Sequence, residues 1–248
     1  MAKDKYELED DNLFKYATKE LSQDAFLCWL ISWYNDNNKK NQLYTVAEKF
    51  LNIILEKSKK NWDLSQYKIE IKKQYKKIDI LVNLLNKENE KIEKCIIIED
   101  KINTKEHDNQ IKEYKKKLES KYKKIIDSEN YITVYYKMID YDEKQENNAD
   151  VKITIDDMLN IFKNTQNIKN DIFQNYKNYL ENRKNILDDY ENIPFSKWNK
   201  NREIYWKYLN DYKNTYNNKE GKLHLSKDVT ILNRTVYILI LTILRLKD

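Results

Sequence analysis

The chain has 248 residues, of which 40% are hydrophobic, enough for a globular core, and its 46 basic and 41 acidic residues give a formal net charge of +5. One glycine (Gly221) and one proline (Pro194) exclude a glycine-rich phosphate cradle and a dinucleotide fingerprint. Two histidines (His107, His224) and two cysteines (Cys28, Cys95) have no zinc-site spacing, which leaves carboxylates, lysines and tyrosines to carry any chemistry.

Only four of the 46 basic residues are arginine (Arg183, Arg202, Arg234, Arg245). Excess Lys, Asn, Ile and Tyr with scarce Gly, Pro and Arg is what an AT-rich genome encodes, so lysine content by itself does not argue for a nucleic-acid partner. Met1 to Asn12 lacks a signal-peptide hydrophobic stretch, and the longest apolar run, Thr235 to Leu244, is too short to span a bilayer. A soluble, cytoplasmic protein with buried free thiols is expected.

In chain order, Glu20 to Tyr34 predicts a buried helix, apolar on nearly all sides from Ala25 to Trp33. Leu43, Val46, Ala47, Phe50, Leu51, Ile54 and Leu55 predict a second helix, started by a capping box at Thr45 and Glu48. The period then changes to two. Tyr67 to Tyr75 alternates as a half-exposed strand. Ile78 to Leu85 and Cys95 to Lys101 are strands dense in branched residues, and the polar Asn86 to Glu93 suits a hairpin turn. An amphipathic helix is expected over Glu106 to Ile126, a fourth strand over Tyr131 to Tyr136, a loop over Asp140 to Asp150 and a helix over Ile155 to Phe162. Beyond about residue 165 the periodicity is weak. The expected division is a core over 1–164 and a mostly helical extension over 165–248 packed on it.

Asp79 interrupts one apolar strand and Glu99 ends another. A buried carboxylate is costly unless paired or bound to a cation, so two on neighbouring strands suggest a shared partner. Glu99 and Lys101, two residues apart, share one face of an extended strand, and a hairpin through the polar turn lets Asp79 reach that face. Hard oxygen ligands with water suit Mg²⁺ or Mn²⁺. The competing reading is a strand-end salt bridge.

Ile78-Asp79-Ile80-Leu81, then Ile96-Ile97-Ile98-Glu99-Asp100-Lys101-Ile102, then a helix with Asn109-Gln110 and Tyr114, resembles the PD-(D/E)XK nuclease superfamily. Glu20-Leu21-Ser22 through Phe26-Leu27-Cys28-Trp29-Leu30 is similar to the opening helix of its bacterial restriction-endonuclease-like branch. The resemblance covers residues 13 to 137. Ile78 stands where the family name has proline.

The resemblance implies an α/β fold with a restriction-endonuclease-like core: helix, three-strand meander, helix, strand, in a mixed sheet flanked by helices. It implies that Asp79, Glu99 and the backbone carbonyl of Asp100 bind the divalent metal, and that Lys101 orients the attacking water. Glu20 is the implied opening-helix carboxylate, with Glu48 its rival, and Gln110 approaches from the following helix. The implied activity is metal-dependent phosphodiester hydrolysis in nucleic acid, DNA before RNA, in restriction or antiphage defence. A non-catalytic nucleic-acid-binding or assembly module with the same fold is the alternative, and homodimerisation is left open. Eight lysines between Lys57 and Lys77 and eight between Lys105 and Lys124 offer weaker support for a phosphate-binding surface.

Overall fold

The computed structural model describes residues 7–101, 128–138, 149–163, 165, 167–194, 198, 204, 207, 208 and 211. The helix expected over Glu106 to Ile126, most of the loop expected over Asp140 to Asp150 and the apolar segment Thr235 to Leu244 lie outside them. Met1–Ile204 forms one compact unit and Tyr205–Asp248 a second. In the second, Lys207 and Asp211 form an ion pair at 2.9 Å.

Helix α1 (Glu20–Ser32) buries Gln23, Asp24, Phe26, Leu27, Leu30 and Ile31. Those positions repeat at three and four residues, so they form one stripe, while Ala25 and Ser32 are exposed. The expectation of a helix buried all round is therefore corrected. It becomes a 3-10 turn at Trp33–Asn35. Helix α2 (Gln42–Ser58) starts earlier than expected, because the Asn41 side chain caps it by accepting from the Leu43 N–H at 3.0 Å. Thr45 and Glu48 lie inside the helix, and Glu48 accepts from the Tyr44 hydroxyl at 3.1 Å. Asparagine is as good a cap as threonine and comes first in the chain, so the Thr45 capping box does not form.

Five strands follow: β1 (Tyr67–Tyr75), β2 (Ile78–Asn86), β3 (Ile92–Lys101), β4 (Tyr131–Lys137) and β5 (Val151–Ile153). They make one mixed sheet in the order β1-β2-β3-β4-β5. The pairs β1–β2 and β2–β3 are antiparallel, whereas β3–β4 and β4–β5 are parallel. The meander expected from Tyr67 to Lys101 is present, and β5 is an addition to the expected strands.

Alternation divides the sheet's side chains between two faces. Ile80, Val82, Leu84, Ile96, Ile98, Ile132, Val134 and Tyr136 join α1 and α2 in the main core. Ile78, Leu81, Cys95 and Ile97 form a separate, smaller cluster. Cys28 is half-buried, and burial pushes the Cys95 thiol up to about 12, which keeps it protonated. Beside β1, the Asn35 side-chain amide gives a hydrogen bond to the Ile69 carbonyl (2.7 Å) and accepts one from the Ile69 N–H (2.9 Å).

Helix α3 (Ile155–Ile161) carries the capping box of Thr154 and Asp157, and Lys57 reaches Asp157 at 2.6 Å. Helix α4 (Asp171–Asp188) is capped by Asn170 and buries Phe173, Tyr176, Tyr179 and Leu180. Tyr176 stacks on Phe26 with centroids 3.7 Å apart, and Phe14 and Phe162 meet the pair edge-on. Helix α4 therefore completes the same core as α1. No described helix is long and apolar enough to cross a membrane.

The β1–β2 turn is made by Lys76 (φ 53°) and Lys77 (φ 75°), and Gln74, two residues before Lys76, also has a positive φ (52°). Two successive positive φ angles are those of the type I′ hairpin turn, normally Asn-Gly, because a Cβ crowds the left-handed region. Lys77→Gly is expected to stabilise the fold by about 1 kcal/mol by relieving that strain, read as a rise in the urea midpoint at unchanged slope. A lower midpoint counts against the strain.

Candidate functional site

At one end the β2–β3 ladder finishes with Ile80 opposite Ile98. Asp79 stands one residue before it and Glu99 one after, so the two acids leave the ladder at the same end. There the Asp100 N–H meets a side chain: it donates to the Asp79 carboxylate at 3.0 Å. Asp79 is partly exposed, while Glu99 (1% exposed) and Asp100 (0%) are buried.

Alternation in β3 sends Glu99 to the face of Ile97 and Cys95, and Asp100 to the face of Ile98 and Ile96. Asp100 thus points at α1, where its carboxylate accepts from the Gln23 amide. Only the backbone carbonyl of Asp100 figures in the sequence reading; its side chain is a buried acid in its own right. Parallel pairing sets Glu99 beside Tyr135 and Lys101 beside Lys137. Lys137 is itself 4% exposed, so a buried cation accompanies the Glu99 face. Lys101 ends β3 and its side chain is outside the description, as is Gln110.

Helix α1 supplies the other acids. Glu20 is its half-buried first residue, and its charge acts on Asp100. Asp24, one turn further on, is more intimately placed. The Gln74 amide donates both to Asp24 (3.1 Å) and to Asp79 (3.2 Å). Asp24 is 1% exposed, and neither its Oδ1 nor Oδ2 of Asp100 has a hydrogen-bond partner among the described residues. Burial, then the charge of Asp79, pushes the Asp24 carboxyl up to about 6. Burial, then the charges of Asp24, Glu20 and Asp79, also raises the Asp100 carboxyl, against the Gln23 hydrogen bond. Glu48 lies in α2 and is engaged by Tyr44.

Sequence reasoning therefore missed Gln23, Asp24, Gln74, Asp100 as a side chain, and Lys137. Gln23-Asp24 was a discoverable signal: two polar residues on the same stripe as Phe26, Leu27 and Leu30 demand a polar partner inside.

Asp79 raises the Asp24 carboxyl, and Asp24, Glu20 and Asp79 raise that of Asp100; such a gathering of acids, with its all-oxygen donor set, fits a hard divalent cation. Among the described residues, no three His, Cys, Asp or Glu side chains are grouped closely enough to hold one. The lysines from Lys57 to Lys77 are in part engaged internally: Lys60 pairs with Glu129, Lys72 with Glu70, and Lys73 donates to the Leu21 carbonyl. A cavity of about 330 Å³ lined by Tyr34, Tyr44, Tyr67, Lys39 and Lys68 opens at the start of β1. Eight strand steps, about 26 Å, separate that end of β1 from Tyr75 beside the acids.

The raised Asp24 carboxyl has a stability consequence. Its folded value, about 6, lies above the ordinary 3.8, so the folded state holds the proton longer. Its stabilising contribution is complete below about pH 4 and lost as pH rises through about 6. In divalent-free buffer, Asp24→Asn is expected to flatten the fall in stability over that window and to raise the neutral-pH urea midpoint. An unchanged pH profile counts against the buried acid.

Comparison with protein-family models, curated proteins and solved structures found no match to this chain in any of the three.

Proposed function

We propose that this protein is a divalent-metal-dependent nuclease of restriction-endonuclease-like fold, hydrolysing phosphodiester bonds in nucleic acid, DNA before RNA. The observation that carries the reading is the convergence of Asp79 and Glu99 at one end of an antiparallel pair, with the Asp100 N–H clasping Asp79. A helix followed by a meander that delivers Asp and Glu-x-Lys to one sheet end supports it further.

Asp79, Glu99 and the Asp100 carbonyl are the proposed ligands of Mg²⁺ or Mn²⁺. When bound, the metal supplies Lewis acidity and a template for the phosphate. The protein's own residues do the rest. The Asp100 amide fixes the Asp79 carboxylate, and Gln74 holds its other oxygen. Glu20 and Asp24 add negative potential from α1 that attracts a cation. Lys101 orients the attacking water and counters charge on the phosphorane. Restriction or antiphage defence is the proposed setting.

The test is cleavage of single- and double-stranded DNA and of RNA by the purified chain with Mg²⁺ or Mn²⁺, against a chelator control. Metal-dependent cleavage supports the reading. Nucleic-acid binding without cleavage returns the chain to a non-catalytic binding module.

A further inference from the structure

Behind Asp100, hydrogen bonds run inward through three buried side chains. The Tyr176 hydroxyl donates to Gln23 Oε1 at 3.1 Å, and the Tyr136 and Tyr176 hydroxyls are 2.9 Å apart. Gln23 Nε2 then donates to Asp100 Oδ1. Gln23 is 2% exposed, and Tyr136 and Tyr176 are fully buried.

The direction of this chain follows from the inventory of donors. The Gln23 NH₂, which can only donate, faces Asp100, and its carbonyl, which can only accept, faces Tyr176. Tyr176 spends its one proton on that carbonyl, so Tyr136 must donate to Tyr176. Burial raises both phenols well above their ordinary values, so both protons are in place. Every donor points toward Asp100, and bonds aligned in one direction polarise one another in a low-dielectric interior.

The chain does not stop at the carboxylate. Asp100 donates its N–H to Asp79, so whatever fixes the Asp100 side chain also fixes the peptide that holds Asp79. Tyr136 comes from β4, Tyr176 from α4 and Gln23 from α1, so three elements lock one residue. A purely apolar core could have filled this space without three hydroxyl and amide groups, each of which costs desolvation unless bonded.

We infer that Gln23, Tyr176 and Tyr136 are positioning residues, a buried relay that sets Asp100 and through its amide the Asp79 carboxylate. Helix α4 thereby serves the site without contributing a residue to it. This inference rests on the nuclease reading for its kinetic consequence, but its structural half can be measured without activity.

Tyr176→Phe is the decisive variant, because it keeps the ring stacked on Phe26 and deletes the hydroxyl at the centre of the relay. Hydrogen exchange at the Asp100 amide, followed by NMR, is expected to quicken by about tenfold while the amides in the middle of β2 and β4 are unmoved. Turnover is expected to fall by about tenfold with KM for DNA unchanged. Gln23→Leu should do the same, and Tyr136→Phe should do so less, since it removes only the outermost bond. Unchanged exchange at Asp100 overturns the relay, and so does a uniform quickening across the sheet, which marks general loosening. Local quickening with unchanged turnover in an active enzyme overturns the positioning role. Should the wild type cleave nothing, the nuclease reading fails, while the relay stands or falls by the Asp100 amide.

Discussion

Asp79→Ala and Glu99→Ala are each expected to reduce cleavage by a factor on the order of 10³ or more while the chain remains folded. Asp79 sits at the sheet end, partly exposed, so its loss leaves Asp100's amide open to water and costs little packing. Glu99 is fully buried, and a carboxylate removed from that face relieves desolvation at the same time as it removes a ligand. Lys101→Ala is expected to disable cleavage too, but with metal binding retained or tightened, because a nearby cation has gone. That opposite sign separates a water-orienting lysine from a salt-bridge lysine, whose loss would weaken folding and activity in proportion. The measurements are cleavage rate, calorimetric metal titration and melting temperature for each variant. Full cleavage by a well-folded Asp79→Ala or Glu99→Ala protein would falsify the assignment.

Phe26→Ala is expected to be the most damaging of the apolar truncations, at about 4 kcal/mol. Phe26 is 2% exposed and touches Tyr176 face to face and Phe14 and Phe162 edge-on, so the void has aromatic walls from three other segments that cannot all collapse inward. For a chain of this size that corresponds to a fall in melting temperature of roughly 10 °C. Phe26→Leu refills much of the volume and should cost less than half as much. A small loss for Phe26→Ala would mean that α4 is docked by its other contacts, chiefly Asn12 and Leu13 on Asn175.

The strands were legible in the sequence because branched residues alternate in them and a half-exposed β1 has the period plainly written. Strand β5 was not, since Val151–Ile153 is three residues long and too short to display a period. Helix α4 was hidden by composition. Its buried positions include Tyr176 and Tyr179 among Asn and Lys, so a stripe made largely of tyrosine does not stand out as apolar. At the site, Asp79 and Glu99 were conspicuous as charges inside apolar runs. The Asp100 side chain was overlooked because Glu99 and Lys101 were placed together on one face and the residue between them, which faces the opposite way, was given only a backbone role. The roles of Gln23, Gln74 and Tyr176 depend on pairing across 77, 50 and 153 positions of chain, which no local pattern encodes.

The Asn35 amide beside Ile69 has a consequence for behaviour in crowded solution. In the described sheet β1 is a terminal strand, and such a strand offers its unpaired peptide groups to any other extended chain. Asn35 satisfies both groups of Ile69, imitating for one residue the strand that would otherwise arrive from another molecule. Lys68, Lys73 and Lys76 place positive charge along the rest of that strand and its turn, and the run of about six residues of backbone that a fibril needs to start is interrupted at Ile69. At the far side, β5 is too short to template anything. One asparagine amide thus closes the edge of an isoleucine-rich sheet at Ile69.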